Sequence, residues 1–177
     1  MQPLVTIVTT YYNRAGFLKE TLRSLQLQTM TDWEAILWND GSTDNSKEIA
    51  REMAAMDSRF RIFGGERIGH AQSLVRSCAE AQGRYIGVLD SDDLLEPTAL
   101  EEAAAVLESR PEIGMVYTDH VVIDGNGQRR GLGRRCQIPF SKDRMLLDFM
   151  TFHFRLIRME AFAQVKGFDE TYPLAMD

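Results

Sequence analysis

Short apolar runs alternate with longer amphipathic stretches up to about residue 110 of the chain. The runs are rich in β-branched and aromatic residues, which is typical of buried strands. Between them, apolar residues recur three or four positions apart, as at Leu18, Leu22 and Leu25, which is the spacing of an amphipathic helix. Strands that alternate with helices predict a mostly parallel sheet covered by helices on both faces. The predicted strands are residues 4–9, 33–38, 61–63 and 85–89.

The pattern changes after Gly114. Two short apolar runs, residues 115–118 and 121–123, are followed by the turn sequence Asp-Gly-Asn-Gly at residues 124–127, which favours a hairpin. The second part of the chain is therefore predicted to be antiparallel in character, within a single α/β domain. The two halves of this domain are residues 1–113 and 114–177.

The composition is that of an ordinary globular domain. Of the 177 residues, 44% are hydrophobic and 26% are charged. A chain of this length and hydrophobic content can form one buried core. The net charge of -6 argues against a nucleic-acid surface as the main binding site. The two cysteines, Cys78 and Cys136, lack a metal-binding spacing, which suits a reducing compartment. We expect a cytoplasmic protein that associates with a membrane only through segments absent from this sequence. The formation of homo-oligomers stays open.

The most informative stretch is an acidic cluster directly after the fourth predicted strand. Asp90, Asp92 and Asp93 place three carboxylates within four positions. In an extended chain Asp90 and Asp92 would point to the same side, and a following turn could bring Asp93 towards them. Such a cluster suits a hard divalent cation, Mg²⁺ or Mn²⁺, which prefers oxygen ligands. The alternative is that Asp93 or Glu96 caps a helix that begins at Pro97.

Polar residues also follow the first and second predicted strands. Residues 10–13 (Thr-Tyr-Tyr-Asn) end the first strand, and Asn13 is suited to cap the next helix. Residues 39–42 (Asn-Asp-Gly-Ser) end the second strand. Because the carboxyl ends of parallel strands meet at one edge of a sheet, these loops and residues 90–93 are expected to form one crevice.

Two other polar features have a simpler interpretation. His153 lies in an apolar run and is predicted to be packed or hydrogen-bonded rather than a ligand. A cluster of arginines in a Gly-rich segment favours a solvated surface, although one of them could reach a phosphate. These arginines are Arg129, Arg130, Arg134 and Arg135.

Four segments resemble, in order, those of the family-2 inverting glycosyltransferases, which have the GT-A nucleotide-diphospho-sugar transferase fold. Residues 5–14 are similar to the family's opening strand and its Pro-Thr-Tyr-Asn-Arg turn, with threonine in place of proline. Residues 39–44 resemble its Asp-Asp-Gly-Ser-Thr-Asp turn, with asparagine in place of the first acid. Residues 89–93 match its DxD motif, and residues 166–170 are similar to the segment before its catalytic base. The resemblance covers essentially the whole chain.

The resemblance implies a Rossmann-like, three-layer α/β/α sandwich that moves a sugar from a nucleotide-diphospho-sugar to an acceptor hydroxyl with inversion. It implies a UDP-sugar as the first choice of donor, and bacterial-type polysaccharide or glycoconjugate synthesis as the setting. Residues 1–113 would bind the donor and residues 114–177 would form the acceptor side.

Individual roles follow from the same resemblance. Asp92 would be the first ligand of Mn²⁺ or Mg²⁺, assisted by Asp90 and Asp93, and Asp177 aligns with the catalytic base. Asp40 would accept a hydrogen bond from the uracil imide. The residues implied to bind the nucleotide-sugar are Thr10, Tyr11, Tyr12, Asn13, Asp40, Gly69, Asp90, Ser91 and Asp92.

Departures from the family pattern keep other functions open. The family's Ala-Arg-Asn after the mid-domain glycine is replaced by His-Ala-Gln at residues 70–72, and the sequence ends at Asp177 without the helix that would hold the base. A truncated catalytic domain is expected, and a non-catalytic nucleotide-sugar-binding module or an inactive fragment is the first alternative. A phosphatase of the haloacid-dehalogenase type, with a DxD nucleophile, is the second. Neither GxGxxG nor a Walker A sequence is present, which excludes the dinucleotide and P-loop classes.

Overall fold

The computed structural model describes residues 2–145, 147, 150–151 and 153–171. Within them, strands and helices alternate up to residue 109, and shorter strands follow. The strands are β1 (Val5–Tyr11), β2 (Trp33–Asn39), β3 (Phe60–Gly64), β4 (Tyr85–Val88), β5 (Met115–Thr118), β6 (Val121–Ile123), β7 (Arg129–Leu132) and β8 (His153–Arg158). The helices are α1 (Leu18–Gln26), α2 (Ser46–Met56), α3 (His70–Ala79), α4 (Ala99–Ser109) and α5 (Met159–Gln164), with a short 3-10 helix at Arg134–Gln137.

One six-stranded sheet organises the molecule, in the order β3-β2-β1-β4-β8-β5. Strands β1 to β4 run parallel, whereas β8 lies antiparallel between β4 and β5. Strands β6 and β7 form a separate antiparallel hairpin. The prediction of a mainly parallel sheet with a smaller antiparallel part is therefore confirmed.

Helices cover both faces of the sheet. Side chains alternate along each strand, so the apolar strands present apolar side chains to both faces. Val5, Ile7 and Tyr11 point to one face, where they pack in a core with residues of α1, α2 and α4. Val8 and Ile86 point to the other face, where they pack with residues of α3 and, more peripherally, α5. The three-layer α/β/α arrangement is thus confirmed.

Two of the expected helix caps differ from the structure. Helix α1 begins at Leu18 and has no side-chain cap, and the side-chain oxygen of Asn13 instead accepts hydrogen bonds from the Thr43 backbone at 2.8 Å and from the Thr43 hydroxyl at 3.3 Å. Asn13 is in the left-handed region at φ 52°, so the chain turns there before the helix starts. Helix α4 begins at Ala99, two residues after Pro97, and also lacks a side-chain cap. The capping alternative for the acidic cluster is therefore not observed.

Both cysteines are free thiols, Cys78 buried and Cys136 partly buried. Across the described part of the chain, no helix combines the length and the apolar character needed to span a bilayer.

Candidate active site

The loops after β1, β2 and β4 meet at one edge of the sheet, as predicted. Strand pairing places Tyr11 beside Asn39 and Val8 beside Val88, so the three carboxyl ends are neighbours. The loops then contact each other directly through Asn13 and the Thr43 backbone. The loop after β4 joins them through Asp92, whose carboxylate lies 3.5 Å from Nε of Arg14, so the expected convergence of the three loops is observed.

The structure brings Asp90, Asp93 and His153 together, with one ligand atom from each lying within 4.8 Å of the others. A turn with a hydrogen bond from the Asp93 backbone N–H to the Asp90 carbonyl, at 3.1 Å, folds the two carboxylates towards each other. His153 is the first residue of β8, and because β8 is antiparallel to β4, this residue lies beside the carboxyl end of β4. Its Nδ1 is 3.3 Å from an oxygen of Asp93.

Asp92, expected as the first metal ligand, lies outside this trio. Its carboxylate is 3.5 Å from the Nε atom of Arg14, and both side chains are nearly half exposed. Ser91 is buried. The expectation that Asp90 and Asp92 share a side assumed an extended chain, but the chain turns directly after Leu89, so strand alternation does not apply there.

The electrostatics of this trio indicate surplus negative charge. Burial, together with the nearby carboxylates of Asp90 and Asp92, raises the pKa of Asp93 to about 6. Burial lowers the pKa of His153 to about 4, with His120 and Arg155 as further causes, so the imidazole is neutral at pH 7. The contact between Asp93 and His153 is therefore not an ion pair at neutral pH. Two carboxylates and a neutral imidazole are a donor set that fits a divalent cation.

A second polar cluster surrounds Asp40 at the end of β2. The carboxylate is buried, and one oxygen accepts hydrogen bonds from the backbone N–H groups of Ile68 at 2.8 Å and Gly69 at 3.0 Å. The other oxygen pairs with Arg67, whose guanidinium carbon lies 3.7 Å from the ring centre of Tyr12. Asp40 thus holds the segment that precedes α3.

Arg67 is not among the residues that the sequence analysis identified. Its position depends on Gly41, which has φ 72° and on which a Cβ atom would lie 2.7 Å from the Arg67 backbone nitrogen. A glycine that follows an acid at the end of a strand can indicate such a close approach of two loops. Nothing in the sequence, however, indicates which loop approaches.

The other expected donor-binding residues are placed differently from one another. The Tyr11 side chain is buried in the core on the opposite face from Thr10, so it does not line the crevice. Thr10 lies with its hydroxyl 3.1 Å from Nδ1 of His70, and Tyr12 is partly exposed beside Arg67.

An open cleft extends from the acidic cluster to the β6–β7 hairpin, and its lining includes Asp119 and His120. Arg129 and Arg130 of β7 pair with Glu96 and Asp124. The expected solvated surface is observed for these two arginines, which are largely exposed. Asp177, the expected base, lies outside the described residues.

Comparisons with known proteins agree with this geometry. The family described as Glycosyl transferase family 2 matches residues 6–166. The chondroitin synthase of Pasteurella multocida (strain Pm70) is 32% identical over 175 residues, which are 99% of this chain but 18% of that protein. The chain therefore spans less than a fifth of the length of this relative.

Two solved structures share the fold. Residues 1–349 of TarS from S. aureus, in complex with UDP, superpose with a TM-score of 0.76 at 17% identity, over 97% of this chain and 52% of that chain. The mannosyltransferase PcManGT from Pyrobaculum calidifontis, in complex with GDP-Man and Mn²⁺, gives 0.71 at 21% identity, over 96% of this chain and 48% of PcManGT. Both likenesses support the GT-A fold expected from the motifs. With the family match over most of its length, the chain belongs to glycosyl transferase family 2.

Proposed function

We propose that this glycosyltransferase moves a sugar from a UDP-sugar to an acceptor hydroxyl, with inversion and with the help of Mn²⁺ or Mg²⁺. The observation that carries the proposal is the cluster of Asp90, Asp93 and His153 at the carboxyl end of β4, where negative charge is in excess. A nucleoside diphosphate adds more negative charge, so a cation is needed to hold both. The polysaccharide synthases among the relatives support a saccharide acceptor.

The polar cluster around Asp40 supports uracil as the base. Tyr12 offers an aromatic face, and Asp40 offers a carboxylate that can accept from an imide N–H. One Asp40 oxygen is already used by two backbone N–H groups, so the imide would meet the oxygen that Arg67 now contacts. Arg67 is half exposed and therefore able to move aside. UDP in the complex of TarS supports the same choice.

The acids after β4 would hold the cation, which supplies positive charge to offset the charge of the departing diphosphate. Asp92 belongs to this set together with Asp90 and Asp93. Its ion pair with Arg14 joins two side chains that are nearly half exposed, so the pair is weak and Asp92 can exchange it for a contact with the cation. The acceptor oxygen then attacks C1 of the sugar as the bond to the diphosphate breaks on the opposite face. A carboxylate takes the proton of the hydroxyl, and Asp177 stays our prediction for that base.

Calorimetric titration with UDP tests the proposal. We expect binding in Mn²⁺ or Mg²⁺ and none in EDTA. Asp92→Asn should weaken metal-supported binding sharply, because an amide is a poorer ligand for a hard cation. Asp119→Asn is the matched control, since this exposed acid lines the same cleft outside the cluster. Equal binding of UDP in EDTA and in Mn²⁺ would contradict the proposal.

A second measurement separates binding from transfer. Asp177→Asn should leave the affinity for UDP unchanged and abolish sugar transfer, since the base acts on the acceptor and not on the donor. Loss of UDP affinity in this variant would contradict the assigned role.

A further inference from the structure

We infer that His153 is a nitrogen ligand of the bound cation and makes the site favour Mn²⁺ over Mg²⁺. The inference rests on the proposed function, because it concerns the same cation. Its basis is the position of the imidazole, whose Nδ1 lies 3.3 Å from Asp93, within a trio whose ligand atoms are all within 4.8 Å of each other.

The backbone of His153 is fixed by the sheet. The residue pairs with Thr118 of β5, and three residues further along, Leu156 of the same strand pairs with Gly87 of β4. Strand β8 is therefore interior to the sheet, with neighbours on both sides. A ligand on an interior strand keeps its place without the cation, which lowers the entropy lost on binding.

The ring of His153 is held as well. It packs edge-on against the ring of His120, with the centroids 4.7 Å apart and an interplanar angle of 77°. His120 is in turn held by its Nδ1 contact with the Cys136 sulfur at 3.4 Å. Gly133 leaves the space for that ring, because a Cβ atom there would lie 1.9 Å from His120 Nε2. These contacts restrict the orientation of an imidazole that faces the carboxylates.

The chemistry of the donor set gives the metal preference. Mg²⁺ prefers oxygen ligands in an octahedral shell and retains several waters. Mn²⁺ also binds oxygen ligands well, but as a transition metal it tolerates an imidazole nitrogen better than Mg²⁺ does. Replacing one oxygen donor by the nitrogen of His153 therefore favours Mn²⁺ relative to Mg²⁺. With carboxylates alone, this difference would be smaller.

The chain has three histidines, which makes the assignment testable by spectroscopy. Pulsed EPR of Mn²⁺ bound to the protein with UDP should show modulation from a directly coordinated ¹⁴N nucleus. Labelling with ¹⁵N-histidine should change that modulation, which identifies histidine as its source. His153→Asn should abolish it, whereas His70→Asn and His120→Asn, each with His153 intact, should retain it. Wild-type protein that binds Mn²⁺ and UDP without histidine modulation would overturn the inference.

Calorimetry gives an independent test. In His153→Asn, UDP binding supported by Mn²⁺ should weaken by about tenfold, while binding supported by Mg²⁺ should change by less than about threefold. An unchanged ratio of the two affinities would overturn the inference. Failure of the proposed function has a different signature, namely wild-type protein that binds UDP equally well in EDTA. Circular dichroism and thermal melting of each variant check that it is folded, and the wild-type EPR result stands without any variant.

Discussion

At the scale of single residues, two adjacent tyrosines lie in different places, Tyr11 in the core and Tyr12 at the candidate site. Tyr11 is the last residue of β1, and its side chain lies in the core, where its hydroxyl has no hydrogen-bond partner among the described residues. Burial accordingly raises the pKa of this hydroxyl. Tyr12 follows one position later, is partly exposed and lies against Arg67. The end of β1 therefore lies between a tyrosine of the core and a tyrosine of the candidate site.

Tyr11→Phe should leave UDP affinity within about twofold and should not lower the free energy of unfolding. The variant removes a buried hydroxyl that costs about 1–3 kcal/mol when it is unpaired, so the free energy of unfolding should stay the same or rise. Tyr12→Ala should weaken UDP binding by about 1–3 kcal/mol, since stacking on the base is lost. Calorimetry and urea denaturation of both variants measure these effects. Weaker UDP binding by Tyr11→Phe would contradict the placement of Tyr11 in the core.

Asp40→Asn should reduce the preference for UDP over CDP by about 1–3 kcal/mol. The amide oxygen can still accept from the backbone of Ile68 and Gly69, so the segment before α3 should keep its position. The amide nitrogen, however, cannot accept from an imide. The control is Asp32→Asn, an exposed acid just before β2, at the opposite end of that strand. If Asp40→Asn rejects CDP as strongly as the wild type does, the role of Asp40 is confined to holding the loop.

At the scale of elements, the strands and helices follow from the periodicity of the sequence, whereas several of their partners do not. The alternation of apolar runs and helical stripes predicted β1 to β4 and their parallel direction, because the alternation of strand and helix is visible in the local pattern. The insertion of β8 between β4 and β5 depends on pairing between distant segments, which local pattern does not encode. For that reason the sequence predicted the carboxylates of Asp40, Asp90 and Asp93, but it predicted neither Arg67 beside Asp40 nor His153 beside the other two.

Gly87→Ala should destabilise the pairing of β4 with β8. A Cβ atom at Gly87 would lie 3.0 Å from two ring carbons of Phe154, so the ring would have to move. Overpacking of this kind typically costs about 1–3 kcal/mol, measured as the free energy of unfolding in urea. Gly125→Ala is the matched control, because no atom lies within 4 Å of its Cβ position. Replacing Phe154 by Leu as well should reduce the cost, and equal costs in both backgrounds would contradict this mechanism.

The contribution of the α2–β3 connection to the free energy of unfolding should depend on pH, because Asp57 lies in that connection. The Arg59 side chain donates to the Asp57 carboxylate from Nη2 at 2.8 Å and from Nε at 3.0 Å. These hydrogen bonds lower the pKa of Asp57, and a hydrogen bond from the Arg59 backbone N–H lowers it further. Because the pKa is lower in the folded state, the stabilisation is present above the unfolded-state pKa and is lost as the pH falls through the folded-state pKa.

Asp57→Asn should therefore lower the free energy of unfolding at pH 7 by up to about 1 kcal/mol. The difference from the wild type should shrink in acid, where Asp57 is protonated in the wild type as well. Urea denaturation of both proteins from pH 7 to pH 2 measures the difference. A difference independent of pH would contradict the assignment.

At the scale of the whole molecule, the proposed ligand site joins residues from both halves of the chain. Asp40 and Asp90 come from the first half and His153 from the second. A ligand that contacts all of them should stabilise the folded domain as a unit. With UDP and Mn²⁺ together at 100 times the dissociation constant, linkage gives about 2.7 kcal/mol, or a rise in Tm of roughly 5–10 °C. UDP in EDTA should give no rise, and differential scanning calorimetry distinguishes the two cases.

The place of β8 in the sheet has a consequence for how the protein is made. Tyr85 and Arg158 are paired neighbours on β4 and β8 but are 73 residues apart in the chain. While a nascent chain leaves the ribosome, the first four strands are complete long before β8 emerges, so the edge of β4 stays open to other strands for that interval. Strand β8 then pairs with this edge and places His153 beside Asp90 and Asp93. On the inferred role of His153, a chain arrested before residue 153 would carry the carboxylates without the imidazole and should bind Mn²⁺ more weakly than the 177-residue chain.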